Sequence, residues 1–333
     1  MQTVIQNYLN EAKVGRKQSF KNLAIFPLLS GYATGLVYIT LDEALAEELI
    51  EVVEVSEEGS VPELKVMNKC PNMVLSLDGE ELVGAKQNRI VNTTILIKGE
   101  STTVIPVSCV EQGRWAHVSP RFGSHENLMS AHLRALKARQ VHRSIRTSDT
   151  FRSDQSAIWD EISSKASRME AESPTMAMDE IYEKKRSSLL DYINHFRLVE
   201  MQVGAVFLIN GRVVGLESFG RPDTFVNVFK KLVESYALDA IDWSSEKSSA
   251  KGLKSDVTKF LWAASTANLE NRPSVGLGTD CRLESNKIVG FALAHEEEIL
   301  HLSVFARENG RTADRHSSRL QRFSTRRVRR RSS

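Results

Sequence analysis

No C-x-x-C pair occurs in the sequence, and its three cysteines, Cys70, Cys109 and Cys281, are odd in number and far apart. That spacing supplies neither a disulfide framework nor a structural zinc site, and a reducing cytoplasm is the expected setting. The opening MQTVIQNYLNEAKVGRKQSF lacks the apolar core of a secretory signal. The uncharged stretch 22–41 is long enough to suggest a membrane span, but Pro27, Ser30, Gly31, Thr34 and Gly35 interrupt it. Two short buried strands around a turn fit it better, so no membrane partner is expected. Signatures of chemistry are equally scarce. There is no G-x-x-x-x-G-K-[ST] loop, no strand-linked G-x-G-x-x-G, no G-x-S-x-G elbow and no H-E-x-x-H. The isolated His117, His125, His132, His195 and His301 read as surface or hydrogen-bonded core residues, and His295-Glu-Glu-Glu298 as a charged turn. No metal site and no cofactor are specified.

What is present suits a soluble, globular chain of one or two domains: 333 residues, 41% hydrophobic and 26% charged. The net charge of +2 hides an asymmetry. From Ala306 onward there are ten Arg and only Glu308 and Asp314, a net +8; the remaining 34 basic and 40 acidic residues leave −6 on the body. So little apolar content predicts disorder for 306–333. That Arg-rich tail reads either as a contact for nucleic acid or as a segment with no selected role.

Along the chain, 1–21 reads as a short helix followed by the strand pair in 22–41. Thr40-Leu-Asp-Glu43 is a capping box opening a helix to about Val52, and Val61 to Met73 reads as a strand. From Ser124 to Arg197 the period turns helical, with Ser124, Ser153 and Ser173-Pro174 as candidate starts. The basic face of Arg134, Lys137, Arg139, His142, Arg143 and Arg146 reads as solvated helix surface. Strands resume at Val203–Ile209, and Asn210-Gly211 is a strong hairpin signal. Pro222 opens a long amphipathic helix, and strands at 288–294 and 299–305 close the body. Segments 74–84 and 206–215 echo each other as strand, Asx-Gly, strand. The expected fold is α+β, with antiparallel or mixed sheets and an inserted helical segment. The expected division is a β-rich region over 1–123, helices over 124–197, a second α+β region over 198–305 packing with the first, and the tail over 306–333.

The densest chemistry lies between Asp78 and Trp115, where DGEELVGAKQNRIVNTTILIKGESTTVIPVSCVEQGRW interleaves acids, amides and arginines with β-branched runs. Polar groups placed on strands must each find a partner. Arg89 and Arg114 can each bind phosphate or carboxylate through two parallel bonds, and Trp115 can stack on a planar ring. Glu80, Glu81 and Glu111 can serve as an acid/base pair or hold a hard cation. Cys109 is a nucleophile only if a neighbour lowers its pKa. The plainer reading is that Arg89 and Arg114 satisfy Glu81 and Glu111 in buried pairs and Cys109 is a small core hydrophobe.

The runs LDGEELVGAKQNRIVNTTILI and IPVSCVEQGRW, with GAVFLINGRVVGLESFGRPDTF, SYALDAI and IVGFALAHEEEILHLSVF, resemble the ADP-ribosylglycohydrolase- and rhodanese-phosphatase-associated protein family up to about Phe305. The family's name records gene neighbours that handle ADP-ribose or phosphate esters. The resemblance implies a role in ADP-ribose, nucleotide or RNA-end metabolism and a small phosphorylated or nucleotide-like ligand. Its polar motif positions fall on Asp78, Glu80, Glu81, Lys86, Gln87, Arg89, Asn92, Glu111, Arg114 and Trp115. Two functions follow as expectations. One is hydrolysis or transfer on a nucleotide-derived substrate, with Glu81 or Glu111 as acid/base and the arginines on phosphate. The other is a binding or sensing module without turnover. Both expect Glu80, Glu81, Arg89, Glu111, Arg114 and Trp115 to share one cleft.

Overall fold

Strands Leu23–Leu29 and Gln202–Ile209 carry apolar residues on both faces, the mark of a strand covered from both sides. The computed structural model describes residues 1–56, 62–116, 118–245 and 249–307. In it these two strands pair antiparallel, Ile25 opposite Phe207, towards one end of a nine-stranded sheet. Lys13–Val14 flanks Leu23–Leu29, with Gln18–Phe20 also paired to it. On the other side follow Arg212–Phe219, Glu298–Ala306, Ile288–His295, Thr279–Glu284 and Asn268–Pro273. Helix Pro222–Asp242 covers one face through Phe225, Leu232 and Tyr236. Helices Gln2–Glu11 and Lys254–Ser265 cover the other through Ile5, Tyr8, Val257 and Phe260. The N-terminal region and the region after 198 therefore share one sheet.

The second body is a closed barrel. Its strands run in the order Ser101–Cys109, Glu63–Asn68, Ile50–Glu54, Phe122–Leu128, Glu80–Gly84 and Arg89–Val91, which returns to Ser101–Cys109. Val52, Leu64, Val66, Leu82, Val91, Ile105, Val107 and Phe122 fill it as one apolar cluster. A small sheet of Tyr38–Thr40, Met73–Ser76 and Ile95–Ile97 completes the β-structure, its first two strands parallel. The fold is α+β, as expected.

Several local readings hold. Thr40 and Glu43 form the capping box, Asn210-Gly211 turns the hairpin, and Pro222 opens its helix. Others are corrected. The capped helix ends at Ala46, and Ile50–Glu54 is a barrel strand. Strand Phe122–Leu128 occupies the place read as helix from Ser124, because Ser124 pairs with Leu82 across the barrel wall. Ser130 and Asp154 precede the first two helices, and the third begins at Asp179, past Ser173-Pro174. The echo between 74–84 and 206–215 is compositional, since Met73–Ser76 and Glu80–Gly84 lie in different sheets. The first two residues of the expected 306–333 tail belong to the folded body. Ala306 ends a strand, and Arg307 bonds the Lys287 carbonyl and Glu284. The rest of the tail, like His117, lies outside the described residues.

The largest correction concerns helix Ala131–Ser148. Arg134 and Lys137 on its supposed solvated face are fully buried, and His142 nearly so. The helix packs against the sheet's closing strands, where each long cation meets a carboxylate: Arg134 bonds Glu217 and Lys137 bonds Asp78. Among the described residues, no helix is long and apolar enough to cross a membrane.

Candidate functional site at the barrel mouth

Antiparallel register decides which way each motif residue points. Leu82 lies opposite Arg89, and Arg89 opposite Cys109, so these three share the inner face of the barrel wall. Glu81 lies opposite Ile90, and Ile90 opposite Ser108, so these share the outer face. The expected single cleft is therefore divided between two sides of one wall.

The inner group closes one end of the barrel. Arg89, 0% exposed, donates from Nη1 to Gln87 Oε1 at 2.9 Å, and the Cys109 thiol donates to the same oxygen at 3.2 Å. Glu54 ends the inward series Ile50, Val52, Glu54, its Oε1 lying 3.9 Å from Arg89 Nη2. That is close enough for attraction and too far for a hydrogen bond. Among the described residues, Arg89 Nε and Nη2 and both Glu54 oxygens have no hydrogen-bond partner. The Trp115 ring, half-exposed, sits over this end, 5.8 Å from Arg89 Cζ and 5.5 Å from Lys86 Nζ. Cys109 is no nucleophile here: burial pushes its thiol up to about 11 despite the pull of Arg89. Iodoacetamide at pH 7.5 is expected to leave all three buried cysteines unmodified in the native protein and to add three groups after denaturation. A carbamidomethyl group on native Cys109 in the intact-mass spectrum would contradict this.

The outer group is built on Glu81, Glu111, Asn88, Arg114 and, from the start of helix Asp179–His195, Asp179. Arg114 uses all five of its N–H donors within the fold: Nε and Nη2 to Glu111 at 2.9 and 2.6 Å, Nη2 to Asn88, and Nη1 to the Ala85 and Ala116 carbonyls. The guanidinium that the sequence offered for phosphate is thus committed to the protein itself. Burial works against ionising Glu111, but the Arg114 bonds and the Asn88 N–H outweigh it and hold its carboxyl below the usual range. Glu81 is the opposite case. Buried, facing Asp179 and Glu111 and receiving Asn127 Nδ2 at 3.1 Å, it is pushed up to about 8, and its Oε1 has no partner among the described residues. Asp179 is raised as well, by burial and by Glu111.

Three sequence-predicted residues join neither group. Asp78 is held by Lys137, Glu80 by Lys231 and the Leu77 N–H, and Asn92 by Ser108 Oγ and the Phe151 carbonyl. Sequence reading missed Glu54, Asn127 and Asp179. An acid at the third inward position of an alternating strand was the available signal for Glu54; nothing local marked Asp179. A surface hollow of about 390 Å3, lined by Asp42, Glu51, Lys69, Arg121, Phe122 and Glu126 among others, contains none of the predicted residues. Glu51 draws Lys69 and Arg121 into ion pairs across it, and it is set aside in favour of the barrel end, where orphaned polar atoms collect. Among the described residues, no three His, Cys, Asp or Glu side chains are placed to hold a metal ion.

The profile of the ARG and Rhodanese-Phosphatase-superfamily-associated Protein domain matches residues 11–305. The chain belongs to that family. The matched span of this ARG and Rhodanese-Phosphatase-superfamily-associated Protein domain takes in all six barrel strands and runs to the penultimate residue of the strand Glu298–Ala306. Searches of the curated proteins and of the solved structures returned no match.

Proposed function

We propose that the chain binds a small nucleotide-like ligand at the Trp115-capped end of the barrel and acts there as a binding or sensing module. The observation that carries this reading is Arg89, fully buried beneath the Trp115 ring, with Glu54 beside it and four of their polar atoms without partners among the described residues. Buried donors and acceptors are nearly always satisfied, so atoms left open at a barrel mouth mark where water or a ligand completes the structure. Turnover has less support. The thiol at this end is held protonated, and Glu81, the residue best suited to give a proton, points out of the other side of the wall. A ligand gripped by Arg89 does not reach it.

A second reading keeps Glu81 as a general acid, because two neighbouring carboxyls driven to different protonation states are how acid and base roles are divided. It would make the chain a hydrolase or transferase on the outer face, with Glu111 held ionised by Arg114. Reading ARG in the family description as ADP-ribosylglycohydrolase makes ADP-ribose the first ligand to try, and the unpaired cysteines favour a cytoplasmic setting. Calorimetry and mass spectrometry with ADP-ribose, NAD and phosphorylated RNA ends separate the two. Binding by wild type and by Glu81→Gln, with no product from either, is expected. Product from wild type that disappears in Glu81→Gln would transfer the function to the outer face.

A further inference from the structure

We infer that the barrel mouth reads a neutral donor–acceptor edge, of the kind a nucleobase or a carboxamide presents, and not a phosphate. The inference rests on the ligand-binding reading of the mouth and goes further by naming which part of the ligand enters it.

The argument is one of charge and of hydrogen-bond count. Arg89 Nε and Nη2 lie along one edge of the guanidinium, so the open donors form a fork aimed at an acceptor. Glu54, both of whose oxygens are likewise unpartnered among the described residues, lies 3.9 Å away. The positive charge of Arg89 is therefore already offset. A phosphate entering here would set its own negative charge against a buried carboxylate, and like charges in a buried site are mutually unfavourable. A neutral planar edge has no such conflict. Its carbonyl or ring nitrogen accepts from Arg89 while its N–H donates to Glu54, and each orphaned group gains a partner. The Trp115 ring supplies the stacking face that such a planar group requires, and the apolar filling of the barrel below, Leu64, Val91 and Val107 among it, excludes water from the contact. Gln87, bound to both Arg89 and Cys109, fixes the fork in place. Sites that satisfy a buried polar pair discriminate strongly against partners lacking the matching groups.

The test uses full-length protein, calorimetry and tryptophan fluorescence, with Trp115→Phe as the control for signal from the mouth. The probes are adenosine, uridine, nicotinamide, ribose 5-phosphate, inorganic phosphate and ADP-ribose. At least one neutral probe is expected to bind wild type tenfold or more tightly than either ribose 5-phosphate or inorganic phosphate, and to compete with ADP-ribose. Glu54→Gln, equal in size, leaves Arg89 uncompensated. It is expected to lose at least tenfold in affinity for the neutral probe and to gain affinity for inorganic phosphate. Tighter binding of the phosphates by wild type, or ADP-ribose binding that the neutral probes do not displace, would overturn the inference while leaving the mouth a ligand site. No Trp115-dependent response to any of the six probes would overturn the mouth reading itself.

Discussion

Glu217→Ala is expected to remove about 3–5 kcal/mol of stability, the range for breaking a buried ion pair from one side. Glu217 is completely buried. Its Oε1 accepts from Arg134 Nη1 at 2.6 Å and from the Tyr236 hydroxyl at 3.1 Å, and its Oε2 faces His301 Nε2 at 3.1 Å. His301 in turn meets Thr94 Oγ1 at 2.8 Å, so one carboxylate joins the sheet, helix Ala131–Ser148 and the central motif. Deleting it strands a guanidinium that has no route to water, and leaves a ring nitrogen and a hydroxyl without their partner. The loss should follow from the uncompensated charge more than from lost attraction. Removing both ends therefore discriminates: Glu217→Leu with Arg134→Met should recover most of it. Urea midpoints at constant slope measure both effects, and a single-variant loss below about 1 kcal/mol would show the network to be dispensable.

Glu81→Gln should act in the other direction and depend on pH. The Glu81 carboxyl titrates near 8 in the fold against 4.5 for the free group, so the folded chain holds a proton that the unfolded chain releases. Its contribution is fully favourable below about pH 4.5. It declines as pH rises through the interval, and above about 8 the fold carries the whole penalty of the buried charge. At 1.36 kcal/mol per pH unit that penalty is of order 5 kcal/mol. The amide cannot ionise, so it escapes that penalty at every pH. The variant should thus match wild type near pH 4.5 and exceed it by several kcal/mol at pH 9. Asp179, raised for related reasons, adds a slope of the same sign that remains in both proteins. Denaturation curves from pH 5 to 9 that run parallel for the two proteins would refute the assignment.

Features written in adjacent residues were legible from the sequence. The Thr40 capping box, the Asn210-Gly211 hairpin and the Pro222 helix start each depend on local backbone chemistry and stand as read. Features that depend on distant partners were not. Arg134 and Lys137 have the spacing of an exposed basic stripe, and only Glu217 and Asp78, contributed by other elements, turn that stripe inward. Strand Phe122–Leu128 has no β-branched residue and is recruited by its neighbours in the barrel. The candidate site shows the same limit. Alternation within Glu80–Gly84 separates Glu81 from Leu82, but the turn at 85–88 resets the phase. Nothing in the sequence says that Arg89 follows Leu82 inward while Glu81 looks out.

The placement of strand Leu23–Leu29 also sets the order in which the chain can be built. All six barrel strands lie between residues 50 and 128, so the barrel can close on the ribosome while the remainder is still being translated. Leu23–Leu29 must wait for Gln202–Ile209 before its second edge is covered. At about 5–20 residues per second, the 180 residues from Leu29 to Ile209 represent a delay of roughly 10–40 s. Throughout it, an apolar segment with an open edge stands ahead of the barrel on the nascent chain, and such a segment is a natural client for a nascent-chain chaperone. Slowing translation after residue 128 would lengthen that exposure without delaying the barrel at all.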